Sequence, residues 1–152
     1  MKKAIHYRNQ FFAGIGGEDK ADYAPQISEG VIGPAMAMNE LLDAEITHTI
    51  VCGDNFMGSR EKEAVEIILG FLEDKEFDMF IAGPAFQAGR YGFACGTICK
   101  AVKEKFNVPV ITSMHEENPG VEMFRKDMPI FIGGKSAAKL RSDVKVMTAY
   151  AN

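Results

Sequence analysis

Five short apolar runs recur along the chain, and each is followed by a loop rich in glycine or polar residues. The runs cover residues 4–7, 46–52, 79–82, 109–114 and 129–132. Runs such as "DMFIAG" and "VPVITSM" are apolar throughout and do not alternate, which is typical of parallel strands that are buried on both faces. The pattern therefore predicts five strands of a mostly parallel sheet.

Segments with helical spacing separate or follow these runs, at residues 34–42, 59–75, 91–106 and 136–150. The clearest apolar stripe at helical period consists of Ala64, Val65, Ile68, Leu69 and Leu72. Ser59 stands where it can cap the amino terminus of that helix. Alternating strands and helices predict an α/β fold, a three-layer α/β/α sandwich with a mostly parallel sheet of about five strands, Rossmann-like or flavodoxin-like.

Length and composition limit the possible classes of protein. The chain has 152 residues and no linker, repeat or low-complexity tract, so we expect a single α/β domain over residues 1–152. A net charge of -4 and a pI near 5.4 argue against a nucleic-acid-binding protein, whose footprint is usually basic. No stretch approaches a membrane span, and the start lacks the apolar region of a signal peptide. We therefore expect a cytoplasmic protein.

The cysteines and two of the histidines are interpreted as core residues. An odd number of cysteines without a secretory signal indicates reduced thiols at Cys52, Cys95 and Cys99. No CxxC pair or His/Cys ligand cluster is present, so we expect no structural zinc site and no other metal. A histidine inside an apolar strand is usually a satisfied core residue, and this interpretation applies to His6 and His48.

The unusual loops all follow predicted strands. They read "QFFAGIGGEDKADYAP", "CGDNF", "GPAFQAGRYGFACG", "HEENPG" and "GGKSAAK". Open parallel sheets bind ligands at the carboxyl ends of their strands. The sequence therefore predicts one recess at this edge of the sheet, although part of the glycine content serves turns alone.

The first loop is not a nucleotide-binding fingerprint. Gly14 and Gly16 fit Gly-x-Gly-x-x-Gly, but Asp19 occupies the place of the third glycine. Glu18 and Asp19 would repel a pyrophosphate, and Pro25 interrupts the segment where a helix should run. The "GGKS" string is only the last fragment of a P-loop. These departures argue against classical nucleotide binding.

The third loop has the features of an anion site. It carries Gly83, Gly89, Gly92 and Gly96 around Arg90, at the start of a predicted helix. Backbone N–H groups at a helix start favour an anion, and an arginine can grip a carboxylate with two hydrogen bonds. A carboxylate-bearing small molecule fits this loop better than a phosphate does. The alternative is that Arg90 is a surface residue paired with a nearby acid.

Two further polar segments follow predicted strands, and each has two interpretations. The "HEEN" string at residues 115–118 could supply a general base or orient an ammonium group. It could equally be a solvated turn, and it is not the HExxH motif of zinc proteases. Asp54 and Asn55, which follow the second apolar run, could likewise be functional residues or part of a solvated turn.

Several long motifs resemble a known family. The strings "IHYRNQFFAGIGGEDKAD", "GVIGPAMAM", "VCGDNF", "FIAGPAFQAGRYGFACGTICKAV", "HEENPGVEMF" and "SAAKLR" resemble the N-terminal part of the selenoprotein B subunit of glycine, sarcosine and betaine reductases. The resemblance implies a part in the reductive deamination of a small amine during anaerobic amino-acid fermentation. In that family a pyruvoyl-type subunit binds the amine, a selenocysteine attacks its α-carbon, and acetyl phosphate is eventually formed.

This chain departs from the family in one respect. The family's selenocysteine lies in a redox-like motif near the C-terminus of a much longer chain, and no such motif occurs here. The nucleophile role is not transferred to any of the three cysteines. We therefore expect no cofactor in this chain, with the selenocysteine and the pyruvoyl group on other segments or subunits, and no catalysis by the chain alone.

The favoured hypothesis is a half-site component of such a reductase that binds a small carboxylate-bearing amine and docks with the pyruvoyl-type subunit and the selenocysteine-bearing segment. The expected substrate-binding residues are Gly14, Gly16, Gly17, Asp54, Asn55, Gly89, Arg90, Tyr91, Glu116, Glu117 and Asn118. The alternative is a stand-alone binding module or an assembly module without activity. The sequence leaves open which amine is the substrate and whether the chain forms a homo-oligomer.

Overall fold

One six-stranded sheet organises the chain in the computed structural model, which describes residues 2–10, 15–16, 18–30, 44–83, 85, 89–114, 118–124 and 130–132. The strands are β1 (Lys2–Asn9), β2 (Gln26–Glu29), β3 (Ala44–Cys52), β4 (Met79–Ala82), β5 (Val110–Met114) and β6 (Ile130–Ile132). Their spatial order is β2-β3-β1-β4-β5-β6, and every pair is parallel except β2 with β3. The α/β class with a mostly parallel sheet is confirmed.

The order of the parallel strands is flavodoxin-like. Numbered along the chain, the five parallel strands stand in the order 2-1-3-4-5 across the sheet. The connections change direction between β1 and β4. Folds of this kind bind ligands in the crevice at the carboxyl ends of the two strands beside that switch point.

The described helices are α1 (Asp54–Ser59), α2 (Glu61–Leu72), α3 (Gly89–Phe106) and α4 (Pro119–Phe124), with a 3-10 turn at Glu18–Lys20. The predicted helices at 59–75 and 91–106 correspond to α2 and α3. Right-handed crossovers place α2 and α3 on the same face of the sheet. The predicted helices at 34–42 and 136–150 lie outside the described residues. None of the described helices has the length and apolar character needed to cross a membrane.

Both faces of the central strands are covered, as a three-layer sandwich requires. All four residues of β4 are buried, and successive side chains of a strand point to opposite faces. The face toward the described helices packs as one hydrophobic core. Its largest members include Ile5, Tyr7, Ile50, Ile68, Leu72, Phe80 and Ile98.

The predicted cap at Ser59 is wrong. The Ser59 hydroxyl donates to the Asn55 carbonyl, 2.7 Å away, inside the last turn of α1. Arg60 is the residue that precedes α2, and it makes no side-chain capping hydrogen bond. The sequence reasoning missed α1 because that helix has only six residues and is separated from α2 by Arg60 alone.

Glycines in α3 permit a close helix contact. A Cβ atom at Gly92 would overlap the Asn118 side chain, and one at Gly96 would overlap the Phe124 ring. The short helix α4 therefore lies directly on α3. These two glycines, which the sequence placed near an anion loop, serve helix packing.

Candidate active-site crevice at the switch point

Three consecutive polar residues lie at the carboxyl end of the central strand. Arg8, Asn9 and Gln10 follow the apolar part of β1, and each has only 2 to 3% of its surface exposed. They lie at the carboxyl end of β1, beside the switch point. A buried run of this kind is unusual, because polar groups are rarely buried without hydrogen-bond partners.

A hydrogen-bond network joins this strand end to the first turn of α1. The Asn9 amide donates to a carboxylate oxygen of Asp54, with Nδ2 and Oδ2 2.9 Å apart. The backbone N–H of Asp54 donates to Oε1 of Gln10 over 3.1 Å. Asp54 is itself buried. The network fixes α1, which follows β3, against the end of β1.

The loop after β1 folds back onto the same strand end. The Gln10 carbonyl accepts hydrogen bonds from the backbone N–H groups of Ile15 and Gly16, at 3.0 and 3.2 Å. Gly16 therefore lies beside the crevice. Asn55 lies elsewhere, because its side chain is exposed and donates to the carboxylate of Asp22.

The Tyr91 side chain extends from the first turn of α3 to the end of β1. Its hydroxyl lies beside the Arg8 guanidinium and opposes the lowering of the Arg8 pKa that burial causes. The phenol is fully buried, and burial raises the pKa of Tyr91 well above its usual value. Tyr91 is therefore a neutral group next to a buried cation. We define Arg8, Asn9, Gln10, Asp54 and Tyr91 as the switch-point cluster.

His6 fixes the neighbouring edge of the crevice. Its Nε2 lies 2.7 Å from the carbonyl of Gly83, just past the end of β4. Burial, and then the charge of Arg8, lower the pKa of His6 to about 3. The ring is therefore neutral, and Nε2–H is the donor to that carbonyl. Gly83 has φ +96°, a conformation that favours glycine, and it turns the chain out of β4.

The remaining predicted site residues that the structure describes lie at the starts of helices. Gly89 and Arg90 begin α3, and the Arg90 side chain is exposed. Asn118 is buried, and its Oδ1 accepts a 3.0 Å hydrogen bond from the backbone N–H of Gly120. With Pro119 at the first helical position, this is an N-cap of α4.

The structure thus brings Gly16, Asp54 and Tyr91 together, but not Asn55. Gly14, Gly17, Glu116 and Glu117 lie outside the described residues.

Sequence reasoning missed Arg8, Asn9 and Gln10. The available signal was the string "RNQ", which directly follows the first apolar run and falls at the carboxyl end of a predicted strand. The first predicted strand ends at residue 7, whereas β1 continues to Asn9. Attention to polar residues inside strand ends, and not only to loops, would have found them.

The three thiols are protonated and poorly nucleophilic at neutral pH. Cys52, Cys95 and Cys99 are free and buried, which confirms the sequence interpretation. Burial raises the pKa of Cys52 to about 12, and it also raises the pKa values of the other two thiols. A thiol with a raised pKa is protonated at neutral pH and is a poor nucleophile. The described residues contain no cluster of side chains suited to holding a metal ion.

A concavity lies on the outer surface of the helices. This groove, of about 600 Å³, runs between α2, α3 and α4, and no member of the switch-point cluster lines it. Its apolar floor consists of Val65, Phe93, Ala101, Met123 and Phe124. Met123 is 53% exposed there.

Comparison with known families matches the whole chain to one of them. The model for glycine/sarcosine/betaine reductase selenoprotein B matches residues 1–152. The chain belongs to this family. The resemblance that the sequence motifs indicated is therefore confirmed.

Relatives in the selenoprotein B family are subunits of multi-subunit reductase complexes. The chain is 66% identical over 153 positions to the betaine reductase complex component B subunit beta of Peptoclostridium acidaminophilum, and it covers 35% of that protein. It is 49% identical to the sarcosine reductase complex component B subunit beta of the same organism, covering 33% of it.

A third relative is the glycine reductase complex component B subunit gamma of Carboxydothermus hydrogenoformans, which is 42% identical over 149 positions. These alignments span 100%, 93% and 97% of this chain. The chain thus covers about a third of the length of each of these relatives.

Proposed function

We propose that this chain forms part of the substrate site of a component B subunit in a reductase that acts on betaine, sarcosine or glycine. The observation that carries the proposal is the buried switch-point cluster. It occupies the position at which flavodoxin-like sheets bind ligands, and it presents charged and amide groups within a closed environment. Betaine is the first candidate substrate, since the 66% identical relative is a betaine reductase subunit.

The proposed contribution is binding and orientation. The reaction would be a reductive deamination, with the attacking selenolate and the pyruvoyl group supplied by other segments or subunits of the complex. None of the three buried thiols is suited to act as the nucleophile. We therefore expect the chain to be inactive alone, to act in the cytoplasm, and to work with the pyruvoyl-type subunit.

Calorimetric titration of the chain with betaine, sarcosine and glycine tests this proposal. We expect saturable binding of at least one of them at concentrations below about 10 mM, because preferential exclusion of betaine as an osmolyte does not saturate in that range. Ligand at one hundred times its dissociation constant should add about 2.7 kcal/mol to the free energy of unfolding. The absence of saturable binding for all three would contradict the proposed substrate site.

A second candidate function is that of an assembly module. The groove between α2, α3 and α4 favours it, because exposed apolar residues such as Met123 are typical of interfaces. The partner would be another subunit of the reductase complex. A chain that co-elutes with such a subunit but binds none of the three small molecules would support this function over the first.

A further inference from the structure

Arg8 lies where the pairing between the two central strands, β1 and β4, ends. The pairing of β1 with β4 ends at Tyr7 and Ala82, and the next backbone contact is the 3.2 Å hydrogen bond from Gly83 to the Tyr7 carbonyl. Arg8 is therefore the first residue of β1 beyond β4. On its other side it pairs with Val51 of β3. Arg8 therefore lies at the switch point of the sheet.

The side chain of Tyr91, from the first turn of α3, reaches the same place. The Tyr91 hydroxyl lies beside the Arg8 guanidinium, and Tyr91 also contacts the backbone of Asn9. Tyr91 is neutral because burial raises its pKa. The Arg8 guanidinium is therefore the cationic group of the switch-point cluster.

We infer that the Arg8 guanidinium, at the switch point and beside Tyr91, binds the carboxylate group of the substrate. This inference rests on the proposed function. Glycine, sarcosine and betaine share the carboxylate and differ only in the methylation of nitrogen. A single anchor for that carboxylate would therefore serve all three.

Arg8 is better placed for this task than Arg90. The exposed Arg90 side chain would form an ion pair screened by water, and such pairs contribute little. Arg8 is only 2% exposed, so a carboxylate bound to its guanidinium would be shielded from water and would interact more strongly. Its planar fork can also hold both carboxylate oxygens. Arg90 would then add a weaker, long-range attraction.

Calorimetric titrations of two matched variants with betaine and choline test the inference. Choline keeps the trimethylammonium group of betaine and has a hydroxymethyl group in place of the carboxylate. We expect the unaltered chain to bind betaine at least about 10-fold more tightly than choline. Arg8→Gln should remove that preference, whereas Arg60→Gln, at an exposed arginine outside the switch-point cluster, should leave betaine affinity unchanged. Circular dichroism establishes that each variant is folded.

The outcomes separate the inference from the proposed function. Betaine binding that is unchanged in a folded Arg8→Gln variant, or equal binding of choline and betaine, would overturn the inference alone. Binding of neither betaine, sarcosine nor glycine to the unaltered chain would overturn the proposed function as well. Should Arg8→Gln not fold, Arg8→Lys takes its place. Lysine keeps the charge but loses the fork, so betaine affinity should fall about 5-fold, and an unchanged affinity would contradict the inference.

Discussion

The polar residues at the end of β1 can be buried because they have hydrogen-bond partners. Asn9 and Gln10 are both tied to Asp54, so their burial is compensated by hydrogen bonds. The sequence predicted Asp54 and Tyr91 as site residues because they follow strands. It could not rank them above Asn55, since the direction of a side chain in a short helix depends on tertiary contacts.

His6 makes stability depend on pH. Its pKa is lowered from 6.5 to about 3 in the folded chain, so between these values the unfolded chain binds a proton that the folded chain excludes. The free energy of unfolding should therefore fall as pH drops from about 6.5 toward 3, by up to about 1.4 kcal/mol per pH unit from this group alone.

Urea unfolding between pH 6.5 and 4.5 measures this effect, with His6→Gln as the comparison. The glutamine amide can still donate to the Gly83 carbonyl but does not titrate. We expect the variant to lose the additional slope. Parallel pH profiles for the two proteins would show that His6 is not excluded from protonation in the folded state.

At the scale of elements, the apolar runs predicted all five parallel strands, because buried parallel strands have a continuous apolar signature. The antiparallel strand β2, "QISE", was not predicted. It lies at the edge of the sheet with three of its four residues exposed, so it carries no such signature. The glycines of α3 were also misread, since close packing against α4 is invisible without the tertiary structure.

The contact between α3 and α4 yields a matched pair of substitutions. Gly96→Ala would drive a methyl group into the Phe124 ring and should lower the free energy of unfolding by about 1 to 3 kcal/mol. Gly70→Ala, on α2, places its methyl group in open space and should raise stability by about 0.5 to 1 kcal/mol. Urea denaturation measures both, and equal stability of the two variants would contradict the close contact.

At the scale of the molecule, the flavodoxin-like strand order brings the ends of β1, β3 and β4 to one edge. Asp54 and Tyr91 are 37 positions apart in the chain, yet both lie beside the last residues of β1. Sequence patterns predicted this edge, but Arg8, which we infer to bind the carboxylate, lies within a strand.

The central claim is that a small zwitterion binds at the switch-point crevice, and backbone NMR of the chain during betaine titration tests it most directly. We predict saturable shifts at the amides of the crevice, namely Arg8, Asn9, Gln10, Gly83 and Tyr91. The amides of Val65, Ala101 and Met123, in the groove between α2, α3 and α4, should not move. Shifts confined to that groove, or none anywhere up to about 10 mM betaine, would contradict the claim.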